Sequence, residues 1–266
     1  AGTARATGRP ARASGRAPRA AERAGGLGRS GPAEALPSAW ISVARMGKMS
    51  EEEAVWPGHP TLSAIIPVRN RGGARLENCV RSLRWQRLPE GVTLEIVISD
   101  YGSDDAHRAD VEAIAARHDA RVVFTPERGV WNRSRALNIG IQASRAFWTF
   151  CTDVDMIFAP NFVASLLEAH QDTSRDAMIH CRCHDLPESV PLEPWQAEDF
   201  PKLLAEAEVR RTKGTGACQS ARRSFFHRVR GYDERYTFWG AEDVDMTARA
   251  QRAGLDIVWV SDRTQM

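Results

Sequence analysis

The chain of 266 residues is 42% hydrophobic and 26% charged, and its net charge at neutral pH is +2. These values exclude a disulfide-stapled miniprotein, a collagen-like fibre and a fully disordered chain, and the length fits one large domain or two small ones. The charge is uneven, because residues 1–50 hold nine of the 36 Lys and Arg but two of the 34 Asp and Glu. The rest of the chain is slightly acidic, which argues against nucleic acid as its partner.

Residues 1–58 are rich in Ala, Arg, Gly, Pro and Ser, with Trp40 as the one aromatic residue before Trp56. Such a segment buries too little apolar surface to offset the entropy lost on ordering, so we predict a disordered tail. Its arginines fit a nucleic-acid arm, an organelle transit peptide or a solvated tail. The domain that carries the chemistry is expected to span residues 59–266.

No stretch of the sequence approaches the roughly 20 consecutive apolar residues of a membrane-spanning helix. We therefore expect no transmembrane segment, while peripheral contact with a membrane surface stays open. The five cysteines are an odd number without repeated spacing. This pattern favours reduced thiols and a cytoplasmic location over a disulfide framework.

From Thr61 onward, short β-rich runs alternate with segments of helical periodicity. The predicted strands are 62–68, 94–99, 121–125, 147–151 and 257–260, and the predicted helices are 75–86, 109–118, 135–144, 161–171 and 200–211. The alternation predicts an α/β fold with a mainly parallel sheet covered by helices. Ligands bind beyond the carboxyl ends of such strands, so the site is expected in the loops after residues 68, 100, 125 and 152.

Two arginines follow the first predicted strand within the segment Pro67 to Arg71. Arg69 and Arg71 are two residues apart, so in an extended chain they project to one side. Two guanidinium groups aimed at one point suit a bidentate grip on phosphate or carboxylate. Ordinary solvated loop arginines remain the alternative.

Two acidic segments complete the candidate site. Asp153 and Asp155 form an Asp-x-Asp at the exit of the predicted strand 147–151, where carboxylates suit a hard divalent cation; a helix cap or turn is the alternative. Glu242 and Asp243 are predicted to open a helix, whose positive N-terminus favours ionised carboxylates, so Asp243 is a candidate general base. Trp239 precedes them and offers an apolar face for a sugar ring.

Four blocks between residues 62 and 260 occur in one order: IIPVRNR, WNRSRALNIGIQAS, FCTDVDMIF and FWGAEDVDM. In this order the sequence resembles the metal-dependent glycosyltransferases of the GT-A fold, in particular family 2 and the β-1,4-galactosyltransferases. The resemblance implies a Rossmann-like nucleotide-diphospho-sugar transferase fold with a mainly parallel sheet. It also implies a UDP-sugar donor and Mn²⁺ or Mg²⁺ as cofactor.

Matched position by position, the resemblance assigns roles to individual residues. It implies that the donor is bound by Pro67, Arg69, Arg71, Asp100, Trp131, Asn132, Arg133, Asp153, Val154 and Asp155. Asp155 matches the metal ligand and Asp153 the acid that supports it. Trp239, Gly240, Glu242 and Asp243 match the acceptor segment, with Asp243 in the position of the catalytic base.

Several positions depart from the family pattern. Tyr101 stands where the family has a second Asp after Asp100, and Ala241 stands where the acceptor segment has Gly. Val244 replaces an acid that holds the acceptor amino sugar in galactosyltransferases, so N-acetylglucosamine is not the expected acceptor. The family also has a metal-ligating His shortly after the strand that matches 257–260. The sequence reaches Met266 without one, and we expect a chain truncated before that ligand.

The sequence therefore predicts an inverting, metal-dependent glycosyltransferase that moves a sugar from a UDP-sugar to a hydroxyl group of a glycan, a glycolipid or a small molecule. The alternative is a nucleotide-sugar-binding pseudo-enzyme that lacks the third metal ligand.

Overall fold

A computed structural model describes residues 59–211, 214–238, 240–261 and 264–266, so the predicted tail at 1–58 and Trp239 lie outside the described residues. Seven strands form the main sheet: β1 Leu62–Val68, β2 Leu94–Tyr101, β3 Arg121–Thr125, β4 Trp148–Cys151, β5 Ala177–His180, β8 Gln219–Arg222 and β9 Asp256–Trp259. Their order across the sheet is β3-β2-β1-β4-β8-β5-β9. Two short strands, β6 His184–Asp185 and β7 Glu208–Val209, pair separately.

Helices connect the strands. They are α1 Gly73–Arg84, α2 Asp105–Arg117, α3 Arg133–Ala143, α4 Phe162–Asp172, α5 Phe200–Glu206, α6 Arg223–Arg228 and α7 Glu242–Arg252, with a short 3₁₀ turn at Ala197–Asp199 before α5. Side-chain caps fix two of their starts, because Asp104 accepts the His107 amide and Asn132 accepts the Arg135 amide.

The strands β1 to β4 pair in parallel, as predicted. β1 is buried along its whole length and contributes to the core on both faces of the sheet. Leu62, Ala64 and Ile66 pack in one apolar cluster, whereas Ile65 packs in the other. The chain passes from β1 to β2 on one side and later returns to β4 on the other, which opens a crevice between β1 and β4.

The second half of the chain differs from the sequence prediction. Strands β5, β6, β7 and β8 and helix α6 were not predicted, and β8 runs antiparallel to both of its neighbours in the main sheet, β4 and β5. The helix predicted at 200–211 ends at Glu206, because Ala207 is extended and the chain enters β7. After β5 the chain thus makes an excursion through β6, α5 and β7 before it rejoins the main sheet at β8.

None of the helices in the described ranges is long and apolar enough to cross a membrane. All five cysteines are buried and carry free thiols.

Candidate active site

A cleft of about 770 Å³ lies where the loops after β1, β3 and β4 meet the start of α7. Its wall includes eleven of the residues predicted for donor, metal or acceptor: Pro67, Arg69, Arg71, Trp131, Arg133, Asp153, Val154, Asp155, Gly240, Glu242 and Asp243. The cleft lies at the crevice between β1 and β4, where the fold class places its ligands.

The two arginines after β1 do not converge on one point. Asn70 has a φ of 52° and turns the chain between them, so the expectation of an extended segment is wrong. Nη1 of Arg69 donates to the carbonyl oxygen of Gly129 at 2.7 Å. Nη1 of Arg71 lies 3.8 Å from Oδ2 of Asp155. The positive charge of this loop is therefore spread along the cleft.

The Asp-x-Asp follows the end of β4, and its second acid faces two arginines. The guanidinium groups of Arg71 and Arg75 lie 3.8 and 3.7 Å from Oδ2 of Asp155, whose side chain is 34% exposed. Both distances exceed those of a hydrogen bond, and exposed ion pairs of this kind are weak. The carboxylate of Asp155 is therefore accessible from the cleft.

Arg133 bridges the Asp-x-Asp and α7. Its side chain is 11% exposed, its Nε donates to Oδ1 of Asp153 at 2.9 Å, and its Nη2 lies 2.7 Å from the same oxygen in an ion pair. Its Nη1 donates to Oε1 of Glu242 at 3.3 Å and its Nη2 to the carbonyl oxygen of Gly216 at 2.8 Å. Burial lowers the pKa of Arg133, but the two carboxylates outweigh it and the pKa is raised. The guanidinium group implied to bind the nucleotide is thus already held by protein acceptors.

The start of α7 presents acidic groups to the cleft, as predicted. Glu242 and Asp243 occupy the first turn, where the partial positive charge of the helix N-terminus favours carboxylates. Ala241, the N-cap residue, has a φ of 71°. The backbone therefore keeps the left-handed conformation that suits the Gly of the family pattern, although the residue is Ala.

Two predicted donor-binding residues are absent from the wall of the cleft. Asp100 is fully buried, and its Oδ1 accepts the backbone N–H of Ser103 at 3.0 Å. Its Oδ2 has no hydrogen-bond partner among the described residues. Asn132 accepts the Arg135 amide at 2.9 Å and donates to the carbonyl oxygen of Glu234 at 2.7 Å. Its side chain therefore caps α3 in place of facing the cleft.

Four residues at the cleft were not predicted from the sequence. Arg75, Thr215 and Gly216 contact its charged groups, and Arg210 lines its wall. Arg75 could have been recognised from the sequence, because it lies in the first turn of the helix that follows Arg69 and Arg71. The other three precede β8, a polar strand with no sequence pattern that predicts it.

A second cavity of about 410 Å³ adjoins the cleft and shares Asp155 and Arg210 with it. Most of its wall comes from the excursion after β5, including Trp195 and Phe200. Arg210 is held there by Asp185, to which Nε donates at 2.9 Å. The hydrogen bond from Arg210 lowers the pKa of Asp185.

The carboxylates of the cleft fit a divalent cation in part. In the described ranges, no group of three or more His, Cys, Asp or Glu side chains is arranged to hold a metal ion. Mg²⁺ in nucleotide sites commonly uses one or two carboxylates together with substrate phosphates. Asp155 suits that arrangement, whereas Oδ1 of Asp153 is already bonded to Arg133.

Comparison with known sequences agrees with this geometry. The sequence pattern of glycosyl transferase family 2 matches residues 63–230, and that of the N-terminal domain of galactosyltransferase matches residues 206–266. The fold is that of the GT-A glycosyltransferases. Because the first match covers more than half of its length, the chain belongs to glycosyl transferase family 2.

Two validoxylamine A glucosyltransferases are similar to the chain. The protein from Streptomyces hygroscopicus subsp. limoneus is 27% identical over 255 residues, which cover 82% of this chain and 55% of that protein. The protein from Streptomyces hygroscopicus subsp. jinggangensis is 27% identical over 224 residues, which cover 74% of this chain and 52% of that protein. The chain spans about half the length of these curated relatives.

Solved structures share the fold at low sequence identity. TarS 1-349 of S. aureus in complex with UDP has a TM-score of 0.58 at 15% identity and covers 77% of this chain and 60% of that one. The mannosyltransferase of Pyrobaculum calidifontis with GDP-Man and Mn²⁺ has a TM-score of 0.55 at 18% identity, with coverages of 86% and 63%. GalNAc-T7 with UDP, GalNAc and Mn²⁺ has a TM-score of 0.56 at 18% identity, with coverages of 81% and 45%.

Proposed function

We propose that this chain transfers a sugar from a UDP-sugar to a hydroxyl group of an acceptor, with inversion at the anomeric carbon. The observation that carries the proposal is that Asp155 and Asp243 line one cleft, together with three arginines of the donor assignment. Positive charge for a leaving diphosphate and a carboxylate for the acceptor proton thus face the same space.

The donor half of the cleft suits a nucleoside diphosphate. Arg69 and Arg71 place guanidinium groups along the cleft, where they stabilise negative charge that develops on the departing diphosphate. Asp155 would hold Mn²⁺ or Mg²⁺, in agreement with the Mn²⁺ present in two of the similar structures. When bound, the cation supplies positive charge at the diphosphate.

Asp243 acts as the general base. It takes the proton of the acceptor hydroxyl while the acceptor oxygen forms a bond to the anomeric carbon. The bond from that carbon to the diphosphate oxygen breaks, and its electron pair leaves with UDP. General-base assistance of this kind contributes roughly 10²–10⁴ in rate.

Release of UDP from UDP-glucose, UDP-galactose and UDP-N-acetylglucosamine tests the proposal without knowledge of the acceptor, because water serves as the acceptor. With Mn²⁺ present, we expect one of these donors to release UDP, and GDP-mannose serves as the control for nucleotide choice. Asp243→Asn should lower turnover by about 10²–10⁴-fold and leave UDP binding near normal. Asp245→Asn is the matched control, because Asp245 lies on the same helix and pairs with Arg249.

Binding without transfer is the competing function, favoured by the lack of a three-ligand metal group in the described residues. Calorimetry of UDP binding separates the two functions. UDP binding that needs Asp155 without release of UDP from any donor would establish the binding protein. Turnover that Asp243→Asn leaves unchanged would remove Asp243 from the base role.

A further inference from the structure

The segment that leads into β8 forms one wall of the cleft. Because β8 runs antiparallel to β4, its first residues lie at the edge of the sheet where β4 ends. Gly214, Gly216 and Ala217 accordingly line the cleft. No role was predicted for this segment from the sequence.

Thr215 contacts the candidate base directly. Its hydroxyl group donates to Oδ2 of Asp243 at 2.6 Å, and the residue is 8% exposed. A hydroxyl donor this close to a carboxylate is typical of a charge-assisted hydrogen bond. The bond fixes one of the two carboxylate oxygens and limits rotation of the Asp243 side chain.

Strand β8 itself holds the main chain of Asp243. The fully buried side chain of Gln219 donates to the carbonyl oxygen of Asp243 at 2.9 Å and to Oγ1 of Thr247 at 3.0 Å. Its Oε1 accepts the hydroxyl group of Tyr232 at 2.8 Å. Because Gln219 holds the backbone of Asp243, the bond from Thr215 acts on the side-chain torsions of Asp243.

The contact also depends on Gly216. A Cβ atom at that position would lie 3.3 Å from Oδ2 of Asp243 and 3.6 Å from Nη2 of Arg133. A side chain there would crowd the carboxylate, so Gly permits the close approach of this segment.

We propose that Thr215 is a positioning residue that holds Oδ2 of Asp243, so that Oδ1 takes the proton of the acceptor. This inference rests on the proposed function, in which Asp243 is the base. Loss of the hydroxyl group frees the carboxylate to rotate, and a misplaced base loses one to two orders of magnitude in rate.

Thr215→Val removes the hydroxyl group at nearly constant volume, whereas Thr215→Ser keeps it. We expect Thr215→Val to lower kcat for UDP release about 10- to 100-fold, with KM for the donor and UDP affinity within about twofold of wild type. Thr215→Ser should stay within about threefold of wild type. Thr173→Val is the matched control, because Thr173 bonds to the carbonyl oxygen of His170 at the end of α4 and lines neither cavity.

A double-mutant cycle separates positioning from a structural effect. If Thr215 acts through Asp243, Thr215→Val adds less than about twofold to the loss in an Asp243→Asn background. A full additional loss there, or a loss in Thr215→Ser as large as that in Thr215→Val, would overturn the inference. If Thr215→Val does not fold, Thr215→Ala takes its place in the same cycle. Failure of the proposed function would show separately, as an Asp243→Asn variant that keeps wild-type turnover.

Discussion

Replacement of Arg133 by Met tests the bridge between the Asp-x-Asp and α7. The change leaves Glu242, which is 6% exposed, as a buried carboxylate without its cationic partner. Loss of a charge-assisted hydrogen bond costs about 1.5–3 kcal/mol, and loss of the bond to the Gly216 carbonyl adds about 1 kcal/mol. The side chain of Asp153 is 38% exposed and is hydrated once Arg133 is removed, so the lost contact with Asp153 contributes little to the destabilisation. The free energy of unfolding should fall by about 3 kcal/mol, in agreement with broken buried ion pairs elsewhere.

Urea unfolding followed by tryptophan fluorescence measures this change. Arg135→Met is the matched control, because Arg135 lies on the same helix and is 49% exposed, with carboxylates at 3.5 and 3.9 Å. Its loss should cost less than about 1 kcal/mol. Addition of Glu242→Gln to the Arg133→Met variant should recover about half of the loss, because the buried charge is removed. A loss below about 1 kcal/mol for Arg133→Met, or no recovery in the double variant, would refute the electrostatic account.

Two further predictions concern backbone strain and pH. Ala241→Gly should raise the free energy of unfolding by roughly 0.5–1 kcal/mol. The left-handed conformation costs an L-residue about 1–2 kcal/mol, and the greater entropy of Gly in the unfolded chain offsets part of the gain. Equal stability of the two proteins in urea would contradict this prediction. Burial lowers the pKa of His180 from 6.5 to about 4. Between pH 6.5 and pH 4, His180 is protonated in the unfolded chain and neutral in the folded chain. This difference destabilises the fold by about 2 kcal/mol at pH 5 relative to pH 7. His180→Phe should remove that part of the pH dependence of unfolding, and an unchanged slope would show that His180 is not its source.

The sequence predicted the parallel half of the sheet well because its strands are continuous apolar runs. The predicted limits of β1 at 62–68 and of β3 at 121–125 match those observed. These strands are recognisable because they are buried or half-buried along their length. The second half of the sheet was harder to predict, since β8 reads Gln-Ser-Ala-Arg and has no apolar run.

The same limitation explains which site residues were found. In a parallel sheet ligand-binding residues follow the strands, and this rule located Arg71, Asp155 and the segment at Trp131. An antiparallel strand brings its first residues to the same edge, so Thr215 reaches the site from the segment before β8, which the rule does not cover. Arg69 and Arg71 have different partners because the chain turns at Asn70, whose φ of 52° the sequence does not determine.

The wall of the large cleft comes from residues 67–155 and 210–244, and residues 156–209 contribute nothing to it among those described. Within that interval, the excursion through β6, α5 and β7 leaves the main sheet after β5 and returns at β8. A family that keeps its reaction centre in this way can lengthen, shorten or exchange the part of the excursion beyond Asp185, which holds Arg210 of the cleft, with little disturbance to the chemistry. Grafting the equivalent stretch from a relative is therefore a practical route to chimeric enzymes on this framework.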